Sequence, residues 1–279
     1  MSTARPVASA VGSSRPSSAA RVAVVGVLVV VLGVVVGVQL AGGRGSAVDP
    51  AARPAQDRLG PVLLVPGYGG SRDSLLTLAG RIEATGRTAQ VLTLVGDGTG
   101  DLSAQVDVLD RAVDTELAAG APSVDVIGYS AGGVVTGLWV ARDDGAAKAR
   151  RVVTLGAPLA GTTLAAAAAA GAPDACPEAC RQLAPGSADL AELARANVGA
   201  ALPWLSIWTA DDETVTPPDS ARLAGAANVP VQSVCPGARV SHSQLPTDAA
   251  VTGLVLGAIS RGALPTGGDC ASLRAAGAG

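Results

Sequence analysis

Gly128-Tyr129-Ser130-Ala131-Gly132 is the segment that most constrains what this chain can fold into. A G-x-S-x-G pentapeptide carries its chemistry only where a strand turns sharply into a helix, so that the serine hydroxyl stands exposed at the corner. Here Val124-Asp125-Val126-Ile127 precedes it with strand character, and the apolar run from Gly133 to Arg142 follows with the length of a buried helix. The flanking glycines let the backbone pass close behind the serine. An ordinary βα turn also uses Gly and Ser, so the pentapeptide alone decides little. The single histidine of the chain decides more: His242 lies well downstream, where such a serine needs its general base.

The pattern around this corner is that of a mostly parallel, doubly wound α/β sheet, because β-branched runs alternate with helical periodicity from Pro61 onward. Strands are expected at Val62–Val65, Gln90–Leu94, Val124–Ile127, Arg151–Leu155, Trp204–Trp208 and Val229–Val234. Leu75, Leu76, Leu78, Ala79 and Ile82 share one helical face, and Leu102, Val106, Leu109, Val113 and Leu117 share another. A helix near residues 247–260 closes the domain. Residues 156–203 break the alternation with a poly-Ala run (Ala165–Ala170), two close cysteines and a helical Leu190–Ala196. Such an insertion overhangs the carboxyl edge of the sheet, as a lid, as an acyl-binding wall, or as a structural excursion only.

Serine is a weak nucleophile until a base takes its proton, and that base needs an acid to fix its tautomer. The order Ser…Asp/Glu…His is met by Ser130, by Asp211-Asp212-Glu213, and by His242. Of the three adjacent acids Asp212 is favoured, because it stands three residues before Val215, which can anchor the loop in the core. An oxyanion would need two N–H donors: Ala131, directly after the serine, and Tyr68 in the glycine-rich Pro66-Gly67-Tyr68-Gly69-Gly70 loop after the first strand. A phosphate-binding reading of that loop fails for want of a G-K-[ST].

The first sixty residues are of another kind. Residues 1–21 carry Arg5, Arg15 and Arg21 without an acid, and residues 22–41 carry no charge at all. As a helix, 22–41 would be about 30 Å long, the thickness of a bilayer core. It reads as an uncleaved transmembrane anchor, N-in and C-out, with a cleaved signal ending near Gly45-Ser46-Ala47 as the alternative. The expected location is thus the cell membrane, with a single span and an extracellular domain, or secretion if the segment is removed. Residues 42–60 read as a flexible linker and 61–279 as one domain. A net charge of −3 gives no reason to expect nucleic acid, and a monomer is expected.

Export agrees with the four cysteines, for which local pairing, Cys176 with Cys180 and Cys235 with Cys270, is the simplest of three connectivities. With one histidine and no C-x-x-C, no metal site is expected.

The ordered set PVLLVPGYGGS, GYSAGG, TLGAPLAGT, ACPEACRQLAPGS, WTADDETVTPPDSARLAGA and VSHSQLPTD resembles the bacterial class 2 lipases and related esterases of the α/β-hydrolase superfamily over residues 61–260. The resemblance implies an α/β-hydrolase fold and hydrolysis of lipid or small carboxylic esters without a cofactor. Ser130 would be nucleophile, Asp212 acid and His242 base, with Tyr68 and Ala131 as oxyanion donors. Pro66-Gly67 stands where many relatives have His-Gly, which implies a loop of different rigidity. Two rivals share these residues: an acyltransferase, separable by product analysis with acceptor alcohols, and a non-catalytic membrane-anchored binding protein, which would not label with a fluorophosphonate.

Overall fold

The computed structural model describes residues 53–278, so segments 1–21 and 22–41 and most of the linker lie outside the described residues. Among the described residues no helix is long and apolar enough to cross a membrane.

Six strands form one sheet in the order β2-β1-β3-β4-β5-β6, and every neighbouring pair is parallel. The elements run β1 (Val62–Val65), α1 (Asp73–Glu83), β2 (Ala89–Val91), α2 (Leu102–Ala118), β3 (Val124–Tyr129), α3 (Ala131–Arg142), a short α4 (Gly145–Lys148) and β4 (Ala149–Leu155). The insertion holds α5 (Thr163–Gly171), α6 (Glu178–Gln182), α7 (Ala188–Ala196) and α8 (Val198–Ala201). After it come β5 (Trp204–Trp208), β6 (Ala227–Pro230), α9 (Val231–Val234), α10 (Ala249–Ala258) and α11 (Cys270–Ala278).

Both faces of the sheet are covered, which is why its central strands read as continuous apolar runs. Val62 and Leu64 of β1 pack with α1 and α10, while Leu63 and Val65 pack with α2 and α3. Buried Leu102, Val106, Leu109 and Val113 show why the spacing of three and four makes α2 a helix, and Asp101 caps its start by accepting from Ser103 N–H at 2.9 Å.

Three expectations change. The strand expected over Gln90–Leu94 runs only over Ala89–Val91. The strand expected over Val229–Val234 ends at Pro230, and Val231–Val234 coil into α9. Pro230 has no N–H to continue the ladder of this edge strand, and its fixed φ suits the residue before a helix. The end of the expected linker, residues 53–60, is fastened to the domain. Gln56 Nε2 donates to Arg150 O at 3.1 Å, Arg150 returns a bond to Gln56 O at 3.1 Å, and Arg261 Nε donates to Asp57 O at 3.1 Å.

Near the amino end of β3, buried Asp125 accepts from Arg87 at 2.7 Å and from Arg150 at 2.5 Å. The insertion is held down by Arg142 of α3, which reaches Asp189 and Glu192 of α7 at 2.7 Å each. Disulfides join Cys176 to Cys180 and Cys235 to Cys270, the second tying the end of α9 to the start of α11.

Candidate active site

The chain leaves β1 toward β2 on one side and returns to β3 on the other, so β1 and β3 flank a topological switch point. Loops at the carboxyl ends of such strands diverge and leave a crevice. Ser130 follows β3 directly, with φ 53° and ψ −127°. This conformation is sparsely populated for a residue with a side chain, and costs roughly 1–3 kcal/mol that the surrounding packing must hold. The packing is visible at the glycines. A Cβ on Gly128 would lie 2.6 Å from Gly133 Cα, and one on Gly132 would lie 2.3 Å from Val65 O. Strand, elbow and β1 loop therefore touch backbone to backbone, and only glycine fits.

His242 opens a short 3-10 turn whose preceding Ser241 N–H donates to Gln244 Oε1 at 2.9 Å, closing a capping box. Its Nε2 lies 2.9 Å from Ser130 Oγ and its Nδ1 2.7 Å from Asp212 Oδ2. Asp212 is 5% exposed, and its other oxygen accepts from Thr214 N–H at 3.0 Å and Val215 N–H at 2.7 Å. Of the three adjacent acids, the one the fold brings to the histidine is Asp212. Asp211 points elsewhere: its carboxylate meets Arg239 at 3.1 Å, and the Arg239 side chain is 88% exposed.

Tyr68 sits in the turn closed by Gly70 N–H to Gly67 O at 3.0 Å, and a Cβ on Gly67 would lie 2.9 Å from Ser130 Cβ. Ala131 N–H belongs to the first turn of α3, where no intrahelical carbonyl is available to it. Ser130 and Tyr68 open on a cavity of about 260 Å³ walled by Leu164, Ala165 and Ala168 of α5, by Leu183 and by Val215. Cys180 lines it too, so the poly-Ala run and the small disulfide loop of the insertion face Ser130.

Three neighbours escaped the reading of the sequence. Tyr129 packs its ring 5.2 Å from the His242 ring and donates its hydroxyl to His242 O at 3.3 Å. Burial, then the charges of Asp212 and Glu213, push the Tyr129 phenol up to about 12. Gly156 adopts φ +54°, and a Cβ there would lie 3.1 Å from His242 Nδ1. Thr162 caps α5, and its place before an alanine run is the one signal that could have marked it. Among the described residues no cluster of His, Cys, Asp and Glu has the makings of a metal site.

No protein-family model matches the chain, and no curated protein does. Solved structures do. Lipase B of Aspergillus fumigatus is similar with a TM-score of 0.62 at 18% identity, over 78% of this chain and 56% of that one. Lipase BlEst2 of Bacillus licheniformis, in its propeptide form, is similar with a TM-score of 0.54 at 17% identity, over 71% of this chain and 48% of that one. The match thus spans about half the length of both lipases. At these identities the likeness is one of fold: the chain has the α/β-hydrolase fold. Ser130, His242 and Asp212 stand together at the carboxyl edge of its sheet.

Proposed function

We propose that the protein is a serine hydrolase that cleaves carboxylic esters through an acyl-enzyme on Ser130. The observation that carries the reading is the unbroken chain Ser130 Oγ–His242 Nε2–Nδ1–Asp212 Oδ2, at 2.9 and 2.7 Å, opening on an apolar cavity. Asp212 accepts from Nδ1–H and so leaves the Nε2 lone pair facing the serine hydroxyl. His242 takes that proton as Oγ attacks the ester carbonyl, then gives it to the leaving alcohol. Water repeats the step on the acyl-enzyme and frees the acid. Ala131 N–H and Tyr68 N–H are the donors to the oxyanion, since Gly67 abuts Ser130 and brings residue 68 next to it.

At about 260 Å³ the cavity falls just below the roughly 300–1,000 Å³ usual for drug-sized ligands, which suits a short or medium acyl chain. Lipid esters fit its lining of Leu, Ala and Val, and two of the solved neighbours are named lipases. Residues 22–41 would hold the enzyme at a membrane, with the domain outside. The test is a series of p-nitrophenyl esters from acetate to palmitate, run with wild type and Ser130→Ala. Turnover should peak below the longest chains and vanish in the variant, and a fluorophosphonate should label Ser130 alone. Residual turnover near wild type in Ser130→Ala would refute the assignment.

A further inference from the structure

Thr162 lines the cavity beside Ser130, and it is 7% exposed. Its N–H donates to Leu183 O at 3.0 Å, at the end of α6. Its hydroxyl donates to Thr214 O at 2.9 Å and accepts from Thr216 N–H at 3.1 Å. The bond that would make it a mere helix cap, from Leu164 N–H, is longer than either of these at 3.4 Å. Thr163 strengthens the same tie: its N–H donates to Thr216 O at 2.8 Å, and its hydroxyl meets Thr216 Oγ1 at 2.7 Å.

The segment gripped in this way is the one on which Asp212 rests. Thr214 and Val215 supply the two N–H groups that hold Asp212 Oδ1, and Val215 also lines the cavity. One side of the 214–216 turn therefore holds the carboxylate, and the other side is held by Thr162. We propose that Thr162 is a positioning residue that fixes the Asp212 turn, and through it the orientation of His242. The proposal rests on the reading of Ser130, His242 and Asp212 as a hydrolytic triad. It also gives the insertion a role beyond walling the cavity, since Thr162 caps its first helix.

Valine in place of Thr162 keeps the shape of the wall and removes the hydroxyl. In the purified full chain, Thr162→Val should lower kcat about 10–100-fold, the scale of a small displacement acting from outside the reacting groups. KM should stay within about threefold, since ground-state binding is untouched. Thr162→Ser keeps every hydroxyl bond and should recover most of kcat. The single histidine offers a second readout: imidazole N–H resonances of the full chain belong to His242 alone. The Nδ1 proton held by Asp212 should shift or broaden in Thr162→Val and keep its position in Thr162→Ser. If Thr162→Val does not fold, Thr162→Ala removes the same hydroxyl and serves in its place. Wild-type kcat and an unshifted resonance in the variant lacking the hydroxyl would overturn the proposal. So would equal impairment in Thr162→Ser, which would assign the effect to packing. A wild-type chain without esterase activity would count against the triad reading instead, while the resonance comparison would still test the tie.

Discussion

Replacing Asp212 by Asn changes one proton and almost no volume, so its effect can be worked out atom by atom. The side-chain oxygen that accepts from Thr214 and Val215 N–H at 3.0 and 2.7 Å keeps those bonds as an amide oxygen. The amide NH₂ then faces His242 Nδ1, 2.7 Å from the atom it replaces. Two donors cannot face each other, so Nδ1 becomes the acceptor and the imidazole proton moves to Nε2. Nε2 is the atom 2.9 Å from Ser130 Oγ, and it now has no lone pair with which to receive the serine proton. The expected loss is about 10³–10⁴ in kcat, or roughly 4–5.5 kcal/mol of transition-state stabilisation. Folding should suffer little, by about 1–2 kcal/mol, because hydrogen bonds to a charged acceptor weaken without being broken. Asp211→Asn is the internal control. Its carboxylate meets only an 88% exposed arginine and the Gln232 amide, so kcat should stay within about twofold. Steady-state hydrolysis of a p-nitrophenyl ester, with thermal melts of both variants, makes the comparison. An Asp212→Asn enzyme within about tenfold of wild type, or the reverse ranking of the two variants, would refute the tautomer argument.

Other perturbations reach the same site or its supports. Gly156→Ala combines a positive φ of 54° with a Cβ 2.6 Å from Leu245 Cδ1 and 3.1 Å from His242 Nδ1, so kcat should fall on the order of 10²-fold, read in the same ester assay. Asp125→Asn leaves the buried Arg150 without its carboxylate and should cost about 3–5 kcal/mol in a denaturant melt, with kcat of the folded fraction unchanged. Reducing Cys235–Cys270 frees a segment with a sequence separation of 35 that contains His242; on the loop-entropy model this costs about 4 kcal/mol, and kcat should fall at temperatures well below the melt. The raised phenol of Tyr129 makes the fold lose stability as pH climbs from its unfolded value of 10.0 through about 12, since the native state alone keeps the proton there. Melting temperatures across that window should fall in wild type and fall less in Tyr129→Phe.

The parts of the fold that could be read in the sequence are those fixed by local periodicity. The heptad-like spacing of Leu102, Val106, Leu109 and Val113 leaves only one face to bury, and the structure buries it. The Val62–Val65 run is short, branched and apolar on both sides, which suits a strand covered on both faces. The edge strand misled for a related reason. Val229–Val234 carries three valines, but Pro230 interrupts its ladder, and no local count weighs one missing N–H against three β-branched side chains. Residues 53–60 carry turn residues and charge, which read as linker; what fastens them is Arg150, far along the chain, and such partners leave no local mark.

The same division runs through the candidate site. Ser130 announces itself because its chemistry needs glycines at fixed offsets, and the close contacts of Gly128 and Gly132 are the physical cause of that motif. His242 stands out by being alone. Asp212 could be separated from Asp211 and Glu213 only by supposing that Val215 is buried, and Val215 is 1% exposed and donates to Asp212 Oδ1. Tyr129, Gly156 and Thr162 act on the site through contacts between residues 52 to 113 positions apart, from Thr162 on Thr214 to Tyr129 on His242, and such contacts exist only once the sheet has assembled. Thr162 shows the limit most clearly. Its place before an alanine run marks a helix cap, yet its stronger bonds go to a turn some 54 positions on, where the acid stands. The residues proposed to do the chemistry thus belong to local motifs, and those that hold them in register belong to the tertiary structure.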